Sequence, residues 1–317
     1  MRDSTLPAGV QVFERGWLSS NNILLHGSSP AEGAVLVDSG YASHVEQTLA
    51  LVANALHPGE TIRLLANTHL HSDHCGGNAA LSEAYGCPIA IPPGEFDAIA
   101  RWDEAVLSYR ATGQQCPRFV PASRLIPGDV LRQAGLNWEI HAAPGHDPHS
   151  VMLFERNSRT LISADALWER GFGIVFPELD GDQAFDEVEA TLNLIEALQP
   201  ALVIPGHGSP FLDVETALVT ARGRLDYFRR EPVRHATSAA KALTVFHMLE
   251  VRRCSRRTLE AWLMATPILI STWERFVEAT SLEAWADQLI NELLKSGSLR
   301  EIGESHDGDS EIASVVR

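Results

Sequence analysis

Apolar residues follow two rhythms along this chain. As far as about Pro210 they come in short runs broken by Gly, Pro, Asn and Asp; beyond it they recur at helical spacing. Asn22 to His26 and Gly33 to Asp38 read as a strand pair around the turn Gly27-Ser28-Ser29-Pro30. Ile62 to Ala66 and Ala201 to Ile204 read as short buried strands. Asn137 to Ala142, Val151 to Phe154 and Thr160 to Ala164 read as further strands, the last two joined at Asn157-Ser158-Arg159. Between them lie helical stripes: Val45, Leu49, Val52 and Leu56 within His44 to Leu56, and Val188, Leu192 and Ile195 within Asp186 to Leu198. Asn78 is placed to cap a helix that runs through Tyr85 and stops at Gly86.

In the last third, Thr280 to Leu294 predicts a helix. Thr280 and Glu283 fit a capping box, Leu282, Trp285, Ala286, Leu289, Ile290 and Leu293 form the apolar stripe, and Gly297 ends it. Leu289 to Ile302 suggests a helix followed by a small wing, and the polar stretch from Gly303 to about Ser314 reads as loose. The pattern therefore predicts a mixed α/β domain over residues 1–212, a helical module over 213–303 and a flexible tail over 304–317. No repeat at a solenoid period is present.

Composition narrows the class. The chain has 317 residues, enough for one large domain with an appendage or for two small ones. Apolar residues make up 45% and charged residues 21%, which is ordinary for a soluble globular protein. Lys plus Arg number 25 and Asp plus Glu 41, giving a net charge of −16. Such a surface repels phosphate backbones, so no nucleic-acid partner is expected. No apolar run approaches the roughly 20 residues of a membrane span, so no membrane partner is expected either. Met1-Arg2-Asp3-Ser4-Thr5 has no apolar stretch behind a basic start, which argues against a secretory signal. Cys75, Cys87, Cys116 and Cys254 are scattered, without CxxC spacing, so neither a disulfide framework nor a thiolate zinc site is indicated. A cytoplasmic, reduced setting is the expectation. The 13 histidines are the feature that asks for an explanation.

The decisive stretch is Thr68-His69-Leu70-His71-Ser72-Asp73-His74-Cys75-Gly76-Gly77, directly after a predicted strand. His69 and His71 are two apart in extended chain and share a face. Asp73 and His74 follow as the chain turns, and Gly76 and Gly77 permit a tight fold before the next helix. Four imidazole or carboxylate donors so close together suit zinc, with iron or manganese as alternatives. Chance and ordinary packing rarely produce HxHxDH at a strand end. Three further candidates lie just past strand ends: His146 in Pro144-Gly145-His146, Asp165 after Ala164, and His207 in Pro205-Gly206-His207. Side chains in such places converge on one edge of a sheet. Seven ligands exceed one tetrahedral ion and suit two ions about 3.5–4 Å apart that share a carboxylate and a bridging hydroxide.

This set resembles the metallo-β-lactamase-fold hydrolases, over roughly residues 10 to 212, and matches the binuclear pattern of their glyoxalase II-like branch. The resemblance implies an α+β fold, a four-layer αβ/βα sandwich with metals in a groove at its edge, here followed by a C-terminal helical module. It implies that His69, His71 and His146 hold one metal and that Asp73, His74 and His207 hold the other, with Asp165 bridging. Asp165 departs from β-lactamases that use a cysteine at the second metal. Trp168 stands where acyl-homoserine lactonases have a tyrosine, three residues after the bridging aspartate, which lowers that option. The end of the helical module is similar to the winged-helix-like appendage of some proteins with this fold.

The chemistry implied is hydrolysis of a small thioester, ester or lactone by a hydroxide bridging two divalent metals. The ions drop the pKa of a bound water from about 15.7 to about 7. Asp73 is the candidate catalytic residue, orienting the hydroxide and passing a proton to the leaving group. The rival readings are a persulfide-oxidising enzyme with a single iron on His71, His146 and Asp165, and a nuclease of the same fold. Asp38 and His149 are candidates to orient a ligand, or plain structural residues. Gly171 to Phe176 is an apolar loop suited to line a groove, and Cys75 reads as a small buried thiol. Arg222, Arg224, Arg229, Arg230 and Arg234 form one cluster and Arg252, Arg253, Arg256 and Arg257 another. They are either a solvated, paired face or a site for the anionic tail of a small-molecule substrate.

Overall fold

The computed structural model describes residues 6–277, 280–304 and 309–315. The reading of Met1 to Thr5 lies outside them. Six strands form the first sheet, in the order β1 Val10–Phe13, β2 Asn22–Leu25, β3 Ala34–Val37, β4 Ile62–Ala66, β5 Ile89–Ile91 and β6 Ser123–Arg124. The first three are antiparallel neighbours and the rest pair in parallel. Helices α1 Val45–Ala55, α2 Ser72–Cys75, α3 Asn78–Tyr85, α4 Phe96–Arg101 and α5 Ser108–Thr112 connect them. The second sheet has five strands: β7 Val130–Gln133, β8 Leu136–Ala142, β9 Val151–Glu155, β10 Thr160–Ala164 and β11 Leu202–Pro205. Helices α6 Phe176–Asp180 and α7 Ala184–Leu198 lie between the last two.

The unbroken apolar runs have a physical reason. Successive strand residues point to opposite faces, and here both faces are covered. In β3, Val35 and Val37 enter the core between the sheets while Leu36 enters the core under α1 and α3. In β9, Val151 and Leu153 face that same inter-sheet core, while Met152 and Phe154 face the core under α7. The result is the expected four layers of helices, sheet, sheet and helices. Because the two faces feed different cores, a one-residue slip in register would exchange both sets of side chains.

Helix α8 Val214–Arg230 puts Ala217, Leu218, Ala221 and Leu225 into the same outer core as α7, so it packs as part of the sandwich. A separate core begins with α9 Pro232–Val251. It continues through β12 Arg253–Ser255, α10 Arg256–Ala265, α11 Pro267–Phe276, α12 Leu282–Ser296, β13 Leu299–Glu304 and β14 Ser310–Ser314. Leu179 of α6 joins this core, which brings the helical region against the sandwich beside the 171–181 loop.

Some local expectations fail for identifiable reasons. Part of the tail at 304–317 lies outside the described residues, but Ser310–Ser314 is a strand, central in the sheet β12-β14-β13, with Ile312 wholly buried. The isolated Ile312 gave no periodic signal. Asn78 does not cap α3; its side chain binds Asn67 and Ser39 instead. The cap of α12 is Ser281, whose hydroxyl accepts from the Ala284 N–H, one residue after the expected Thr280. Among the described residues no helix is long and apolar enough to cross a membrane.

Buried His235 on α9 meets the rings of Phe185 and Phe228 at 5.1 and 5.0 Å. Burial first, and Arg224 second, push its pKa down to about 4. The unfolded chain, with a histidine pKa of about 6.5, therefore binds this proton more tightly than the folded one. The stability it contributes is complete above about pH 6.5 and is lost as the pH falls toward 4. His235→Phe should flatten the fall in Tm across that window. Thermal denaturation of both proteins at a series of pH values tests this, and parallel curves would contradict it.

Candidate metal centre

Four strand ends meet at one edge of the sandwich. Strands β8, β10 and β11 point the same way, since the first two are each antiparallel to β9 and the last is parallel to β10. They deliver His146, Asp165 and His207. The end of β4 in the other sheet delivers Thr68 to His74. Backbone bonds lock the sheets together here: Val151 N donates to Thr68 O at 2.8 Å and Asn21 N to Gly206 O at 2.6 Å, while Ser20 N donates to Asp73 O at 3.0 Å between two loops of the first sheet. The buried Asn21 amide donates to the carbonyls of Pro205 and Gly208, fixing the His207 turn.

All seven candidates come together. One nitrogen from each of His69, His71 and His146 lies within 4.8 Å of the others, and so do one donor atom each from Asp73, His74, Asp165 and His207. Asp165 stands between the groups: its Oδ2 is 3.3 Å from His146 Nε2 and 3.9 Å from His207 Nε2, and its Oδ1 is 3.5 Å from His74 Nε2. His207 Nε2 is 3.0 Å from Asp73 Oδ2. Six of the seven are buried and His71 is nearly so.

Hydrogen bonds set which nitrogen faces inward. Asp38 accepts from Thr68 N, from the Thr68 hydroxyl and from His74 Nδ1, each at 2.8 Å, which turns His74 Nε2 toward the other ligands. His146 Nδ1 donates to the Ile174 carbonyl, so its Nε2 is the lone-pair atom. That atom faces His71 Nδ1 at 2.8 Å, and an ion there would replace the proton between them. Trp168 Nε1 donates to Asp165 Oδ1 at 3.1 Å. Even so, His69 Nε2 and His74 Nε2 are buried without a hydrogen-bond partner. A cation would satisfy such buried nitrogens beside carboxylates, so the residues fit metal ions.

The electrostatics agree. Burial holds His69 well below the ordinary imidazole range and brings His71 and His146 down to about 4, so all three are neutral at pH 7. Burial opposes charge on His74 too, yet Asp165, Asp38 and Asp73 hold it well above the usual value. Burial alone would raise Asp73 and Asp165, but His74 and His207 keep both below the usual carboxylate value.

A family model, that of the metallo-beta-lactamase superfamily, matches residues 15–207. The chain belongs to the metallo-β-lactamase superfamily. A probable metallo-hydrolase of Methanocaldococcus jannaschii is 28% identical over 197 residues, covering 60% of this chain and 88% of that one. A hydroxyacylglutathione hydrolase of Hyphomonas neptunium is 30% identical over 116 residues, covering 37% of this chain and 38% of its own length. This chain thus matches little more than a third of that relative. Among solved structures, a β-lactamase domain protein from Burkholderia ambifaria is similar in fold with a TM-score of 0.57, 21% identity and coverage of 99% and 98%. A protein crystallised in a di-iron-bound form is 28% identical with a TM-score of 0.53, covering 67% of this chain and 98% of that one.

Within this superfamily frame the two glycines of the His69–Gly77 loop are explained by crowding. Both have negative φ, so freedom of the backbone is not the reason. A Cβ on Gly76 would lie 2.5 Å from Ala42 N and Ser72 O, and one on Gly77 2.5 Å from Ser39 O. Of the two auxiliary candidates, Asp38 touches a site histidine, while His149 is exposed and its backbone N–H donates to Asp147. Sequence reasoning missed Asp147, a buried carboxylate 3.7 Å from His71 Nε2, although it directly follows His146. It also missed Trp17, whose ring stacks on His207 at 5.5 Å and 11°. A third group, His26, His57 and Glu60, is a hydrogen-bonded knot. Both Glu60 oxygens accept hydrogen bonds, and His26 Nδ1 and His57 Nδ1 lie 2.8 and 3.5 Å from the same Glu60 Oε2, so the carboxylate is already committed within the chain.

Asp38→Asn tests the orienting role. An asparagine amide turned toward His74 donates where a carboxylate accepted, and it moves the imidazole proton to the inward nitrogen. Metal affinity should fall about 10–100-fold while the fold persists. Competition of the wild-type and variant proteins with a chelator reads this directly, and equal affinities would contradict it.

Proposed function

We propose that this chain is a hydrolase that cleaves a small ester-type bond with the help of two divalent ions, a thioester first and an ester or lactone second. The observation that carries the reading is Asp165, one carboxylate within 3.3 to 3.9 Å of nitrogens from both ligand groups. His69, His71 and His146 would hold one ion, Asp73, His74 and His207 the other, and Asp165 both. Zinc suits the donors, iron and manganese suit them too, and the di-iron relative makes iron a real alternative. Two such ions supply a water acidic enough to be hydroxide near pH 7 and a Lewis acid for the carbonyl oxygen.

The chain's own residues do the rest. Asp73 faces the cavity and is ionised, so its carboxylate can take a proton from the attacking water and return it to the leaving group. The Trp168 indole holds Asp165 Oδ1 in place. Phe176 stands edge-on to His71 at 5.1 Å, and Trp17 covers His207, which limits water around both groups. The hydroxyacylglutathione hydrolases among the relatives support a thioester, over the part of their length that matches. All four cysteines are free, in keeping with a cytoplasmic protein.

The rival reading, one iron on His71, His146 and Asp165 that oxidises persulfides, fits less well. It leaves His69 Nε2 and His74 Nε2 as unpartnered buried nitrogens and gives Asp73 and His207 no task. Burying such groups without compensation costs about 1–3 kcal/mol each. A nuclease reading meets a mainly apolar cavity wall with, among the described residues, a single arginine, a poor track for a phosphate chain.

The test is turnover of thioesters, lactones and persulfides by the metal-loaded protein, alongside Asp165→Asn. An asparagine offers one neutral oxygen where the carboxylate offers two charged ones. Thioester hydrolysis should be present in the wild type. In the variant it should fall by more than the metal content does. Persulfide oxidation without hydrolysis, or an Asp165→Asn enzyme with unchanged metals and rate, would overturn the proposal.

A further inference from the structure

The arginine clusters divide once their partners are known. On α8, Arg222 pairs with Glu196 and bonds Asn193, and Arg229 pairs with Asp186 and Glu189. On α10, Arg256 pairs with Glu260 and Asp287. Arg224 differs. Among the described residues no carboxylate pairs with it and no acceptor takes a hydrogen bond from it. It is half-buried, with its guanidinium carbon 5.5 Å from the Phe172 ring centre and 5.2 Å from that of Phe228.

Its place is the wall of the cavity that opens onto the ligand groups. This cavity has a volume of about 150 Å³, and His71, Asp73, His146, Asp165 and His207 line it on one side. The remaining wall is mainly apolar, built from Trp17, Trp168, Phe172, Phe176, Leu243 and Phe246. The loop opposite Arg224 makes room for it. Gly171 has φ +119, and a Cβ there would lie 2.9 Å from Arg224 Nη1. A guanidinium has five N–H donors, and this one, half-buried against aromatic rings with none of them paired to a protein acceptor, is placed to receive an anion.

We propose that Arg224 binds the single carboxylate of the substrate, separated from the scissile carbonyl by a short apolar spacer that lies along the aromatic wall. This rests on the hydrolytic reading of the site. One guanidinium matches one carboxylate through two parallel hydrogen bonds. A tail with several phosphates or two carboxylates would need more cations than this wall offers. The carboxylate can sit on the acyl side or on the thiol side of the bond, and the assay separates the two.

The test uses the metal-loaded full chain and two matched pairs of thioesters. One pair is adipoyl- and hexanoyl-N-acetylcysteamine; the other is S-hexanoyl-3-mercaptopropionate and its methyl ester. In at least one pair the carboxylate member should have a kcat/KM at least about 10-fold higher, mainly through KM. Arg224→Met should bring that ratio near one, and Arg224→Lys should keep part of it. No preference in either pair, or a preference that survives Arg224→Met, would overturn the proposal. A second readout stands apart from turnover. Quenching of tryptophan fluorescence by 4-phenylbutyrate should require at least about 10-fold more ligand in Arg224→Met than in the wild type. A carboxylate held only by the ions would titrate both proteins alike, and that result would also overturn it. If the wild type cleaves no thioester, ester or lactone, the hydrolytic reading fails, while the fluorescence titration still decides whether Arg224 is a carboxylate site.

Discussion

A carboxylate buried beside imidazoles whose lone pairs point at one another is tolerable only if a positive charge sits between them. That condition governs this molecule. Asp73 and Asp165 are both buried, and Asp165 reaches toward His74, His146 and His207 together. Desolvating an ion costs several kcal/mol, so the arrangement has to be compensated. Asp165, Asp38 and Asp73 favour positive charge there strongly enough to hold a proton on His74 well above the usual imidazole range despite its burial. Under the proposed reading the metal ions replace that proton.

The rest of the fold holds this cluster still. Strands covered on both faces cannot slip, because each residue is committed to one of two cores. Their ends therefore present His146, Asp165 and His207 at fixed heights. Asp38 ties the Thr68 turn to His74, and Asn21 ties the loop before β2 to the His207 turn. Gly76 and Gly77 are small because backbone presses on them. Helices α8 and α9 then close the cavity: Leu243 and Phe246 of α9 face it, and Arg224 of α8 is the one Arg or Lys on its wall among the described residues.

Much of this was legible in the sequence. His69, His71, Asp73 and His74 stand close enough together for their spacing to carry the chemistry. His146, Asp165 and His207 each follow an apolar run whose end could be seen. Strands β2, β3, β9, β10 and β11 were legible because they are buried throughout. The short β1, β5 and β6 were not: β5 has three residues and β6 two, and β1 and β6 carry exposed positions that break an apolar run. Strand β14 escaped notice because its pairing partners, β12 and β13, are what define it. Arg224 could be seen only as one arginine among several. Its significance lies in the partners it lacks, and partners are a property of the folded chain. Trp17 was invisible for the same reason, being far in sequence from the His207 ring it covers.

The central claim is that two ions share Asp165. The most direct measurement is an anomalous difference map from a crystal of the metal-loaded protein, collected at the absorption edge of the bound metal. The account predicts two peaks about 3.5–4 Å apart, one against His69, His71 and His146, the other against Asp73, His74 and His207, with Asp165 touching both. A single peak, or two peaks of which only one contacts Asp165, would contradict it.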